Sequence, residues 1–328
     1  MAPIMSPLLR RPVRALPALL LVAAVTACGT APTTPPADAE DSVSIDNCGT
    51  EVTLSASPQR IVTIKSTTLE LLLALGLEQR VVGSAYSDGP VPDEYASAAA
   101  DIPVISAKLP SQEAVLELEP DLVFGGWESN FSADGVGERD MLHSIGVNTY
   151  VAPSACKSPE YMPDPLTFDT VFDDFAEAGR AFGAEPAATR LIDAQRAQLS
   201  SLTPDDRGHT AVWYSSGCDQ PYVGAGIGAP AMLMQAAGLT NAFADEHDTW
   251  ISASWEKVAD LDPDVLVLIG SPGNTIDDKI ALLKSNPVTK TMDAVMNERF
   301  LRLDFAAAEA GVRNVDSVAS LIEQLGAL

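Results

Sequence analysis

The chain has 328 residues, enough for two domains of ordinary size. A formal charge of −25, with no basic stripe along the sequence, sets aside nucleic acid and anionic lipid headgroups as partners. High aliphatic and low aromatic content suits buried parallel sheet covered by Ala/Leu-rich helices.

In chain order, Arg10, Arg11 and Arg14 precede an apolar stretch over 16–25, too short for a stable membrane span. It ends in Val25-Thr26-Ala27-Cys28, which resembles a bacterial lipobox. That resemblance implies a signal peptide over 1–28, diacylation of Cys28, and a protein anchored by lipid to the outer face of the cell membrane. Residues 29–41 are small, Pro-rich and acidic and read as a disordered tether. Residues 43–54 alternate around Asn47-Cys48-Gly49, which predicts a hairpin at a lobe edge.

Alternating strands and helices follow. Strands are predicted over 61–64, 81–85, 104–106 and 147–151, with helices over 68–76 and 137–145. This β-α-β order predicts a mostly parallel sheet. A helix over 168–182 carries Phe168, Val171, Phe172, Phe175 and Phe182 on its apolar side. Gly183 and Pro186 break the run, and a glycine-free helix over 187–202 reads as a bridge that permits a modest hinge. Beyond it come strands over 210–214, 265–269 and 301–303 and helices over 232–238 and 315–325. The expected domains are an N-terminal α/β lobe (42–184), a bridging helix (185–203) and a C-terminal α/β lobe (204–328). Outside the cytoplasm a cysteine pair persists as a disulfide. Cys48 and Cys156 both fall in the first lobe and are the expected pair; Cys156–Cys218, the alternative, would tie the lobes together.

One segment occurs twice. Residues 111–124 and 254–267 match at Ser111/Ser254, Glu113/Glu256, Val115/Val258, Leu118/Leu261, Pro120/Pro263 and Asp121/Asp264. Each copy reads as a Ser-capped helix with an acid in its first turn, a Pro stop and a buried strand. Two copies imply two similar lobes with one glutamate at the same place on each.

These segments, together with the lipobox, the strand start at Pro58, Arg60, Ile61 and Val62, and Glu70-Leu71-Leu72 before Leu75-Gly76, resemble one family. It is the substrate-binding proteins of ABC importers for iron–siderophore complexes and cobalamin, and the likeness covers residues 43–328. The resemblance implies an α/β fold of two Rossmann-like lobes joined by a single long bridging helix, the class III periplasmic-binding-protein architecture. It further implies a monomer without enzymatic activity or cofactor that hands a small-molecule ligand to ABC permease and ATPase subunits at the membrane. Glu113 and Glu256 match the family's permease-docking glutamates; taken alone, each is also an ordinary first-turn helix acid.

In open α/β sheets the ligand sits beyond the carboxyl ends of the strands. The candidate ligand residues there are Lys65, Tyr86, Trp127, Tyr214, Tyr222, Trp250 and Arg313. Lys65 stands at a helix start suited to an anion, and Arg313 otherwise pairs with Glu309 or Asp316. Aromatic faces with sparse donors suit a flat, conjugated, polar ligand. The first expectation is a ferric siderophore or similar large polar ligand, such as a cobalamin. The alternative is a phosphorylated deazaflavin coenzyme precursor. It rests on the likeness of residues 64–70 and 222–230 to a subgroup proposed to bind that compound, with Lys65 facing the phosphate. Residues 224–229 match G-x-G-x-x-A but follow no long strand, so they read as a flexible cleft loop leading into a helix N-terminus. His143, His209 and His247 lie in different segments, so no metal site is expected. A secreted enzyme on the same fold is the remote alternative, since G-x-S-x-G and H-E-x-x-H are both absent.

Overall fold

The computed structural model describes residues 42–328 apart from Pro163. Cys28 and the segments expected to be a signal peptide and a tether lie outside the described residues. Strands β1 (Val43–Asn47) and β2 (Thr50–Leu54) form an antiparallel hairpin. Its turn places Cys48 and Gly49 at φ 53° and 79°, the two positive values a tight hairpin turn requires.

The first lobe is built on β3 (Ile61–Ile64), β4 (Val81–Ala85), β5 (Val104–Ser106), β6 (Leu122–Gly125) and β7 (Asn148–Val151), in the order β5-β4-β3-β6-β7. Every pairing is parallel. Strands β3 and β6 are buried at every position, as central strands covered on both faces must be. The Phe168–Ala181 helix follows, capped by Thr167, whose hydroxyl accepts the Thr170 N–H at 3.1 Å. Pro186 does not hold up the next helix, which runs Glu185–Ser201. It sits in the first turn, where its missing N–H would have no partner in any case.

The second lobe contains β8 (Thr210–Ser216), β9 (Tyr222–Gly224), β10 (Thr240–Asn241), β11 (Trp250–Ser252), β12 (Val265–Gly270) and β13 (Phe300–Asp304). The order is β11-β9-β8-β12-β13, with β10 beside β8. Strands β8, β10, β12 and β13 pair in parallel, whereas β9 pairs antiparallel with both β8 and β11. Those two strands, and the Ile276–Ser285 helix, are additions to the sequence reading. Gly238 ends the Ala229–Ala237 helix in the left-handed conformation, with φ 87°.

The Glu185–Ser201 helix joins the lobes and touches both. Its Ala188 packs against Gly179, where a side chain would come within 2.6 Å of the alanine Cβ. Further along, Gln195 Nε2 donates to the Val312 carbonyl at 2.6 Å. One apolar core runs from Leu72, Phe124 and Phe182 through Ile192 to Trp213, Leu233 and Leu321. Smaller clusters fill the outer face of each sheet. This is an α/β fold of two Rossmann-like lobes joined by one long helix, and the carboxyl ends of both sheets are left facing a cleft.

Candidate functional site

A cavity of about 430 Å³ lies in that cleft, between the strand ends of the two lobes. Its aromatic walls come from both sides: Trp127 from the first lobe, Tyr222, Trp250 and Phe305 from the second. Between them stand hydroxyl and amide groups, among them Thr67, Ser154, Ser215, Thr249, Ser271 and Asn274.

Trp127 is placed by the pair Gly125-Gly126 at the end of β6. A Cβ on Gly125 would lie 2.6 Å from the Phe131 ring, and one on Gly126 would lie 2.7 Å from Lys65 Cβ. Only glycine lets the strand end pass between them. Across the cleft, β9 and β11 set Trp250 opposite Gly224 and Ser252 opposite Tyr222. Tyr222 and Trp250 are therefore diagonal neighbours on one sheet face. Their rings stack with centroids 5.7 Å apart and planes 11° from parallel.

Lys65 does not line this cavity. It is 3% exposed, and its ammonium pairs with Asp88. The ammonium lies 3.7 Å from the Trp127 ring centroid, 4.5 Å from Tyr86 and 5.0 Å from Phe305. An expected anion receptor is thus an internal cation held behind Trp127 by an acid and three π faces. Its backbone, at φ 86° and ψ 156°, occupies a region normally left to glycine. The Lys65 N–H bond to the Ala85 carbonyl, at 3.0 Å, and the Thr68 hydroxyl bond to the Lys65 carbonyl hold it there.

Three more expected ligand residues stand elsewhere. Tyr86 packs edge-on against Trp127, 5.9 Å away, outside the cavity lining. Tyr214 is buried in the outer core of the second lobe, where its hydroxyl donates to the Gly217 carbonyl at 2.8 Å. Arg313 pairs with neither Glu309 nor Asp316. Its Nε donates to Glu70 Oε2 at 2.7 Å, a buried link between the lobes, and it also donates to the Pro90 carbonyl. Enclosure raises the Glu70 carboxyl above its ordinary range, and Arg313 counteracts the rise. The glycine run of 224–229, expected as a flexible loop, is hydrogen-bonded to the segment before β11. The N–H groups of Ala225, Gly226 and Ile227 donate to the carbonyls of Thr249, Glu246 and Asp248, so the loop is clasped along its length.

Two charged residues of the cavity escaped the sequence reading. Lys157 donates its backbone N–H to Glu128 Oε2 at 2.6 Å and its ammonium to Thr249 Oγ1, across the cleft, at 2.8 Å. It directly follows Cys156, which is disulfide-bonded to Cys48; Cys218 is a free, exposed thiol. Glu309 follows the Phe305–Ala308 helical turn after β13, and its Oε2 accepts the Trp127 indole N–H at 2.9 Å. Enclosure holds its carboxyl above the ordinary range, while the Trp127 bond and the charges of Lys65 and Lys157 counteract the rise. Among the described residues no cluster of His, Cys, Asp and Glu could hold a metal ion. Glu113 and Glu256 are exposed in the first turns of the Gln112–Leu116 and Trp255–Leu261 helices. Its own backbone N–H and Ser111 lower the Glu113 carboxyl below its ordinary range.

A cleft between two lobes, with walls from each and two charged side chains bonded across it, is built to enclose a small molecule. The family model described as periplasmic binding protein matches residues 61–307. The chain belongs to this family. It is 25% identical to an uncharacterised ABC transporter substrate-binding lipoprotein of Bacillus subtilis, over 94% of this chain and 95% of that one. It is 28% identical to a cobalamin-binding protein of Halobacterium salinarum, over 68% of this chain and 57% of the relative. A crystal structure described as an ABC-type Fe3+-hydroxamate transport system, from Saccharomonospora viridis, superposes with a TM-score of 0.74 at 26% identity. That match covers 87% of this chain and 99% of the other.

Proposed function

We propose that this protein is the extracytoplasmic, lipid-anchored capture component of an ABC importer, and that it carries a ferric siderophore of neutral or positive charge. The observation behind the reading is the cavity between the lobes. At about 430 Å³ it is sized for a compact chelate; a corrin with its side chains would need the lobes further apart. Its stacked Tyr222–Trp250 pair and the opposed Trp127 offer flat apolar faces, and the hydroxyl groups between them suit the polar rim of a chelate. The likeness to the hydroxamate-transport structure points the same way.

Charge separates this ligand from the phosphorylated deazaflavin. Around the cavity stand the ammonium groups of Lys65 and Lys157 and the carboxyl groups of Asp88, Glu128 and Glu309. Lys65, the expected phosphate partner, is already engaged by Asp88 and three rings. A dianionic phosphate would enter a site with more carboxyl than ammonium groups, which a neutral or cationic chelate avoids.

In this reading the protein works as a monomer, Cys28 carries the lipid, and Glu113 and Glu256 dock the two lobes onto the permease. Titrating the protein with a ferric trihydroxamate should quench tryptophan emission, and Trp127→Ala should weaken binding by about tenfold, the loss of one well-packed ring. Unchanged emission across a panel of ferric chelates would overturn the ligand assignment. Replacing Glu113 and Glu256 together by lysine should leave ligand binding intact and stop uptake into cells. Normal uptake by that variant would sink the docking assignment.

A further inference from the structure

We propose that Glu309 sets the charge specificity of the cleft by receiving a protonated amine carried by the ligand. This rests on the ferric-chelate reading and sharpens it to the subclass of chelates that bear a free ammonium group.

Glu309 is the point where the two lobes and the cavity meet. One carboxylate oxygen, Oε2, accepts the Trp127 indole N–H from the opposite lobe at 2.9 Å. The other, Oε1, has no protein partner among the described residues, and the side chain lines the cavity. It is also not among the sealed, unpartnered polar atoms, so it retains access to the open space of the cleft. One oxygen is therefore fixed and the other is free to meet a ligand.

Neither nearby ammonium bonds to that oxygen. Lys65 is bound to Asp88 behind the Trp127 ring. Lys157 directs its ammonium to the Thr249 hydroxyl, and its backbone N–H holds Glu128. An enclosed carboxylate is costly unless it is paired, and the rise of the Glu309 carboxyl above its ordinary range is consistent with that cost. A ligand ammonium supplies the missing partner. The rings that share the cavity, Trp127, Tyr222, Trp250 and Phe305, offer the π faces against which a cation is also stable. Because Trp127 and Glu309 bond across the cleft, a ligand cation held here would bridge to both lobes at once.

The test uses the full-length protein in detergent and two probes: a ferric trihydroxamate with a free terminal amine, and the same complex with that amine acetylated. The native protein should bind the amine form at least about tenfold more tightly, one charge-assisted bond in an enclosed site. Glu309→Gln keeps an oxygen for the Trp127 N–H but removes the charge, and it should bring the two affinities within about threefold of each other. Glu309→Asp should restore part of the preference, which a purely structural role for the side chain would not do. Equal affinities in the native protein, or a preference that survives in Glu309→Gln, would overturn the proposal while leaving the ferric-chelate reading in place. Binding of neither probe would overturn both.

Discussion

The two copies of the repeated segment do the same structural work but have different neighbours. In each, a serine hydroxyl caps the helix: Ser111 accepts the Ala114 N–H at 3.4 Å and Ser254 the Lys257 N–H at 3.1 Å. The residue before each proline, Glu119 or Asp262, turns the chain at φ 47° or 44°. The aspartate after each proline then clasps the start of the neighbouring central strand. Asp121 accepts the N–H groups of Gln59 and Arg60, at 2.7 and 3.0 Å. Asp264 accepts the N–H and hydroxyl of Thr210, at 2.8 and 2.9 Å. The copies part company one residue after the cap. Gln112 reaches only the Met141 sulfur, at 3.4 Å. Trp255 is buried edge-on against Tyr214, with ring centroids 5.0 Å apart, and donates to the Cys218 carbonyl at 2.7 Å. The shared residues build the frame. The differing one connects the second copy to the loop after β8, the strand that ends in the cavity-lining Ser215 and Ser216.

This contrast predicts unequal costs at matched positions. Trp255→Ala should destabilise the protein by about 3–5 kcal/mol, whereas Gln112→Ala should stay within about 0.5 kcal/mol, both read by urea unfolding. Similar costs would erase the asymmetry. The clasp residues should behave alike: Asp121→Ala and Asp264→Ala should each cost about 1.5–3 kcal/mol, since each removes two bonds to one carboxylate. A difference larger than the smaller of the two values would mean that the clasps are not equivalent.

The smallest effect separates the lobes by pH. Asp174, on the Phe168–Ala181 helix, accepts the Ser154 hydroxyl in an enclosed site where burial pushes its carboxyl up to about 7. Glu177, whose carboxylate accepts the Tyr150 hydroxyl at 2.6 Å, adds to the rise. A raised acid binds its proton more tightly in the folded state. Its contribution is therefore fully present below about pH 4 and lost as pH rises through about 7. Asp174→Asn should flatten that slope and stabilise the protein at pH 8 by about 1–2 kcal/mol. An unchanged slope would show that the group titrates normally.

Much of the frame was legible in the sequence because it repeats at helix and strand spacing. The parallel strands of both lobes except the two-residue β10, the long bridging helix and the doubled segment all carried such patterns. The antiparallel strands β9 and β11 did not, since they stand outside the alternating strand–helix order that marked the equally short β5. Tyr222 and Trp250 were found as isolated aromatics, but their stacking depends on a strand pairing that no local pattern encodes. The enclosed placement of Lys65 was not legible for a related reason. Its partner Asp88 lies 23 residues away and reaches it only because β3 and β4 are neighbours. Glu309 was hidden among 45 acidic residues. Its one usable signal was its place in the segment between a predicted strand and the closing helix.

The central claim, that the cleft captures a ferric chelate, is tested most directly by native mass spectrometry of the protein purified from siderophore-producing cells, with visible absorbance recorded on the same sample. The account predicts a one-to-one complex whose added mass is a ferric chelate and whose spectrum shows ligand-to-iron charge transfer. A bound phosphorylated compound with deazaflavin fluorescence and no iron absorbance would contradict it.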